Sequence, residues 1–288
     1  MDLGKRIASL YIAQQVGNAF GGLFAAAILK LDGRHGIAGW MWLFIIEGSA
    51  RVGIGVVCTC FMPEFPHNSR ILSQLERDLA VWRIESESGA AEGHEQESVL
   101  KGFTKALSDP KLLLLIFCNL LSQAQGSIAK YFPTLVSSLG FNSTITLLLT
   151  APPYVLAGAF YWVIMFYSDH KNTVYPLILM RLSVSIIMYI IPMSTTNVGA
   201  RYFSMMILPF PSVGPQLLLY KTINLHLARP ISKRAAASAL VNAIGGTSNI
   251  WASYLYYAPP QFFAAFGTLM GCAVLFMATI SFYRWLVA

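Results

Sequence analysis

The chain has 288 residues, 56% of them hydrophobic and 11% charged. A soluble domain carries about 25% charged residues, so the composition excludes a water-facing surface of normal polarity and places most of the chain in lipid. The formal net charge of +7 does not signal nucleic acid, because the basic residues are spread over short loops between apolar stretches, which is the pattern of orientation signals.

A membrane-spanning helix needs about 20 mainly apolar residues. Eight stretches meet or approach that: Arg6–Leu29, Gly39–Phe61, Lys111–Leu135, Ser143–Tyr167, Val174–Met193, Tyr202–Ile223, Ala235–Tyr257 and Phe262–Leu286. The predicted fold class is all-α, a polytopic transmembrane helical bundle. Cys58, Cys60, Cys118 and Cys272 all lie in or at the end of apolar spans and read as small hydrophobes, neither a disulfide framework nor a zinc site. The five histidines show no metal spacing, so no metal or cofactor is expected. No cleavable signal peptide is apparent at the start, which opens directly into a span.

In chain order, the first span carries Gln14, Asn18 and Gly21 on one face. The second holds Glu47 and Arg51, four residues apart. Mutual neutralisation is the simplest account of that pair, with a proton-coupled carboxylate as the alternative. Residues 62–110 form the one sizeable polar segment, with nine of the thirteen acids. Within it Leu72, Leu75, Leu79 and Trp82 fall at helical spacing. They read either as a helix lying on the membrane or as a solvated linker helix. The following run Ser86–Ser98 is poor in hydrophobic residues and reads as disordered.

The third span bears a polar stripe, Asn119, Gln123, Ser127 and Lys130, at spacings of four, four and three. An intramembrane cation is a functional candidate by default. Lys130 is therefore a candidate anion contact, or a lysine snorkelling to the outer interface. In the fourth span Thr146, Thr150, Tyr154 and Tyr161 lie near Pro152-Pro153. This doublet predicts a bend that neighbouring helices can tolerate in a bilayer. Arg181, in the fifth span without a polar stripe, reads as snorkelling or locally partnered. In the seventh, Asn242, Gly246, Asn249 and Ser253 share a face. Each stripe alone suits helix–helix hydrogen bonding. Together they would line a central cavity, with Tyr131, Tyr154 and Tyr161 available to stack on a planar acid.

Fourteen basic residues fall on the side of residues 62–110 and three on the other. The positive side stays inside, so that segment and both termini are expected in the cytoplasm. The run Lys5–Gly17 also aligns without a gap to Lys233–Gly245, matching the basic pair, Ala8 with Ala236 and Gly17 with Gly245. The copies begin the first and seventh spans, six helices apart, as in parallel six-helix repeats.

The window Tyr131–Asp169 combines Phe132-Pro133-Thr134, Ser143, Leu147-Leu148-Leu149-Thr150, Pro152-Pro153-Tyr154 and Ser168-Asp169. It resembles the start of the C-terminal half of fungal anion:cation symporters, the allantoate and nicotinate permease-like branch of the major facilitator superfamily. Gly21–Gly48 is similar to that family's fifth and sixth helices, and Ala228–Tyr256 to its tenth loop and eleventh helix. The resemblance implies that the eight spans are helices five to twelve of twelve. It divides the chain into 1–61, the last two helices of the N-terminal half; 62–110, a cytoplasmic linker; and 111–288, the C-terminal six-helix half. It further implies proton-coupled uptake of a small organic anion by alternating access, in the plasma membrane, with Asp169 in a loop that locks the inward gate. The rival expectation is a transport-inactive remnant lacking four helices. His170, where the family has an arginine, and Pro230, where it has an asparagine, depart from the pattern. A membrane enzyme is not expected, since no HExxH, GxSxG, paired intramembrane aspartates or histidine cluster occurs.

Overall fold

A computed structural model describes residues 3–62, 69, 72–88, 99–171, 173–211, 218–220, 222–223, 231–257, 259 and 261–287. Two compact units emerge, residues 27–97 and residues 1–26 together with 98–288.

The helices follow from local signals. Helix α1 spans Leu3–Ile28, and α2 spans Gly39–Phe61. Between them Gly33 and Gly36 take φ of 76° and 72°, a left-handed geometry open to glycine. The Gly39 amide donates to Asp32 Oδ1 at 2.6 Å. Helix α3, Gln74–Ser88, starts with a capping box, in which Ser73 N and Ser73 Oγ donate to Glu76 Oε2 at 3.0 and 2.7 Å. Those bonds hold the Glu76 carboxyl below its ordinary pKa. Its apolar residues Leu75, Leu79 and Trp82 are exposed. Most of the stretch expected to be disordered, residues 89–98, lies outside the described residues.

The larger unit continues with α4, Val99–Leu107, and α5, Pro110–Lys130. Asp109 caps α5 by accepting from Lys111 N at 3.0 Å, and Pro110 occupies the first turn, where its missing N–H is no loss. The 21 residues of α5 extend about 31 Å, the thickness of a hydrocarbon core. Then come α6, Phe132–Ser137; α7, Ser143–Leu149; α8, Ala151–Lys171; α9, Tyr175–Ser194; α10, Val198–Ile207; α11, Ile231–Ala252; and α12, Phe263–Val287. Among the described residues there is no strand, and five segments are long and apolar enough to cross a membrane: Gly39–Phe61, Pro110–Lys130, Ser143–Ser168, Tyr175–Ser194 and Phe263–Val287. The fold is an all-α bundle.

Helix α5 is the centre of the larger unit. It packs along α11 and α12, and α12 in turn lies on α9. Leu112, Leu115 and Ile128 of α5 are buried with Phe266 and Phe276 of α12. Helix α1 joins the same unit through its Gln15, Ala19 and Gly22 edge. Gln15 and Ala19 are buried, and a Cβ at Gly22 would stand 2.6 Å from Thr150 Oγ1.

Two expected spans are broken by proline. The fourth is interrupted at Thr150, between α7 and α8. Pro153 cannot donate to Leu149 O, four residues back; Tyr202 Oη donates there instead, at 3.0 Å. In the expected span Tyr202–Ile223, α10 stops at Ile207 and a turn at Leu208 precedes Pro209 and Pro211, which cannot donate to Met205 O and Ile207 O; residues 209–211, 218–220 and 222–223 are helical, and 212–217 and 221 lie outside the described residues. A third break separates α5 from α6, where Pro133 leaves Ala129 O free and Tyr154 Oη donates to it at 2.6 Å.

Candidate functional site at the seam of α5 and α11

The polar stripe of α5 faces α11. At the lower end Asn119, fully buried, donates from Nδ2 to Val241 O at 2.8 Å. One turn on, Gly245 lets the helices close. A Cβ there would fall 2.2 Å from Asn119 Nδ2 and 3.4 Å from Gln123 Cγ, so any side chain would push the Asn119 amide off Val241 O. At the far end Lys130 Nζ donates to Asn249 Oδ1 at 2.8 Å. The Asn249 amide is fixed from its other side, with Nδ2 on Gly246 O at 3.0 Å. Ser127 Oγ lies 3.0 Å from Tyr256 Oη, and the Tyr256 ring stacks on Tyr131 with centroids 4.5 Å apart. The N-terminal ends of the two helices are joined as well, since Lys233 Nζ contacts Asp109 Oδ2 at 2.7 Å. The helices therefore run parallel, with a closed seam between an ion pair at one end and an exposed ammonium at the other.

These environments differ in charge. Burial pushes the Asp109 carboxyl up. The Lys233 hydrogen bond, the Lys111 and Leu112 amides and the Lys233 charge outweigh it and hold the group below its ordinary value. Among the described residues the partner of Lys130 is a neutral amide, that of Asn249. From residue 111 to 288 the sequence contains a single acid, Asp169, so the C-terminal helices carry more cations than carboxylates of their own.

The expected site residues scatter. Lys130 and Asn249 are brought together, with Gln123 half-buried beside Gly245. Asn119 is sealed between helices. Tyr154 and Tyr161 are buried, with their hydroxyls on Ala129 O and Pro209 O. Both hydroxyls are thus engaged on backbone, that of Tyr154 on the carbonyl left without a donor by Pro133. Asn242 is exposed, bonded to the Tyr220 hydroxyl and to Ser238 O. Gln14 and Asn18 are exposed, and the buried polar residue of α1 is their neighbour Gln15, one position round the helix. Glu47 and Arg51 form the expected i,i+4 pair at 3.1 Å, with side-chain exposures of 36% and 81%. Asp169 lies near the end of α8, and its side chain is outside the described residues. Tyr256 was missed in the sequence; the aromatic cluster Tyr254-Leu255-Tyr256-Tyr257 just beyond the seventh-span stripe was its signal. Among the described residues no group of His, Cys, Asp and Glu has metal-binding geometry.

The model of the Major Facilitator Superfamily matches residues 1–253. The chain belongs to this superfamily. It is 29% identical, over 97% of its length, to "Uncharacterized transporter C1002.16c" of Schizosaccharomyces pombe. It is 26% identical over 95% to "MFS-type transporter cnsO" of Penicillium expansum, and 25% identical over 99% to "Major facilitator-type transporter hxnP" of Emericella nidulans. The alignments cover 56%, 55% and 58% of those curated relatives, so the chain spans little more than half their length. No solved structure matches. The superfamily and the apolar helices make the chain an integral membrane protein related to transporters.

Proposed function

We propose that the chain is part of an anion:cation symporter-type carrier that moves a small organic anion, together with protons, across the plasma membrane by alternating access. Lys130 is the anion contact in this reading. The observation that supports it is the Lys130–Asn249 pair: an exposed ammonium at the end of a polar seam, held at 2.8 Å by a neutral amide. A carboxylate partner would have neutralised it; an amide positions the charge and leaves it to attract an anion. Gln123 and the Tyr131–Tyr256 stack border the same end, with Asn119, Asn242, Gln14 and Asn18 further from it. The segments 1–61, 62–110 and 111–288 would then be the end of the first half, the cytoplasmic linker and the second half.

The test is uptake of labelled small carboxylates, nicotinate and allantoate among them, into proteoliposomes holding the carrier at its natural length. Lys130→Ala is expected to lower uptake per folded protein by about tenfold or more, the worth of a hydrogen bond to a charged group. Lys130→Arg is expected to retain more. An alanine variant that transports at the wild-type rate removes Lys130 from the site.

A further inference from the structure

Arg181 is a buried charge that the seam does not use. It sits on α9 at 1% exposure, one of the largest fully buried side chains. Leaving an ionised group unpaired in such a place is strongly destabilising. Its ordinary partner would be a carboxylate, yet Asp169 is the single acid between residues 111 and 288. Among the described residues Arg181 makes no ion pair.

What surrounds the guanidinium is the backbone and ring of Phe210, just past α10. Arg181 Nη2 donates to Phe210 O at 2.9 Å. Its Cζ lies 4.6 Å from the centroid of the Phe210 ring and 5.2 Å from that of Tyr161. Tyr161, itself 1% exposed, donates from its hydroxyl to Pro209 O at 3.0 Å. Phe160 of α8 packs on the same Phe210 ring, with centroids 4.6 Å apart. Two consecutive carbonyls just past α10 are thus capped from two other helices, α8 and α9. They belong to residues 209–211, helical again after the turn at Leu208, and a hydrogen bond in a water-free interior is costly to leave unmade.

We propose that Arg181 and Tyr161 pin the backbone of residues 209–210, just past α10, to α9 and α8, so that the three helices move as one body. The partners of the guanidinium are carbonyls and ring faces, which replace a carboxylate through hydrogen bonding and cation–π attraction. The pin is a conformational device distinct from the Lys130 site and holds whatever that site carries.

Hydrogen–deuterium exchange on the whole chain in lipid nanodiscs tests it. Arg181→Met keeps the length and apolar volume of the side chain and removes the charge and the donors. Exchange at residues 204–210 is expected to rise about tenfold, with α5, α11 and α12 unchanged. Tyr161→Phe, which deletes one hydroxyl, is expected to raise exchange in the same segment about threefold. Unchanged exchange in Arg181→Met overturns the pin, as does a rise of equal size in α5 and α12, which would make Arg181 a general core residue. If Arg181→Met does not assemble, Tyr161→Phe decides alone, and wild-type protection of residues 204–210 in that variant overturns the proposal.

Discussion

Lys130 and Arg181 carry the same charge in spans of the same unit, and their surroundings separate their roles. One is exposed beside a neutral amide; the other is buried over two aromatic rings and bonded to a carbonyl. Sequence spacing made Lys130 the better candidate because it ended a polar stripe. It did not disclose that Arg181 is buried, since its partners Tyr161 and Phe210 lie 20 and 29 positions away along the chain. The Glu47–Arg51 pair was legible, being local, and it forms as the i,i+4 rule requires. Removing one partner strands the other, whereas removing both does not. Glu47→Gln is therefore expected to lower the yield of detergent-stable protein more than Glu47→Gln combined with Arg51→Leu, and a single variant as stable as the double refutes the pairing. The Asp109–Lys233 bridge titrates in a defined direction. The Asp109 carboxyl is held below its ordinary 3.8 in the folded chain, so the folded state binds its proton less readily than the unfolded state does. The stabilisation is complete above the ordinary value and is lost as pH falls through the lowered one. Asp109→Asn should flatten the acid side of a melting-temperature profile taken between about pH 3 and pH 6. A steepness equal to wild type would show that the bridge does not contribute.

Helix ends show where sequence reading succeeds and where it stops. The prolines announced breaks: Pro152-Pro153 predicted a bend, and the chain turns at Thr150 just before them. The donors that make the breaks tolerable were not legible, because Tyr154 and Tyr202 reach carbonyls 25 and 53 positions away and no local period marks such a contact. Tyr154 was expected at a cavity from its stripe with Thr146, Thr150 and Tyr161 and from its aromatic ring, and neither feature marks a bond to Ala129 O. The stripe on α5 was found from its spacing, but spacing does not distinguish a wet face from a helix seam. Gly245 and Val241 on α11 make most of it a seam. The carbonyl arithmetic can be checked by a double-mutant cycle. Tyr154→Phe removes the donor to Ala129 O and is expected to cost about 1 kcal/mol, the usual worth of one hydrogen bond. Pro133→Ala restores an N–H four residues beyond Ala129, so in that background the tyrosine hydroxyl should become nearly dispensable. Melting temperatures of the four proteins in one detergent give the coupling. Additive losses would mean that the hydroxyl does not substitute for the proline's missing donor.

At the scale of the whole molecule, composition alone fixed the class, since 11% charge over 288 residues cannot clothe a soluble surface. The loops suggested orientation, and the packing of α5 on α11 bears on it. Two helices that run parallel must start on the same side of a membrane. The ion pair at their N-terminal ends, Asp109 with Lys233, lies where the excess of basic loop residues falls. Their C-terminal ends meet at Lys130, Asn249 and the Tyr131–Tyr256 stack, on the side with three basic loop residues. On the positive-inside rule we propose residues 62–110 in the cytoplasm and the Lys130 end outside. Epitope tags inserted after Gly89 and after Gly140 separate the two faces. On intact cells an impermeant antibody should reach the tag after Gly140 alone, and permeabilisation should expose the tag after Gly89. The reverse pattern would invert the protein, putting the exposed ammonium on the cytoplasmic face, and an uptake carrier would then have to present Lys130 to its anion at the point of release. Labelling of both tags on intact cells would mean that α5, the candidate span between the two insertion points, does not cross the membrane, and would overturn the orientation altogether.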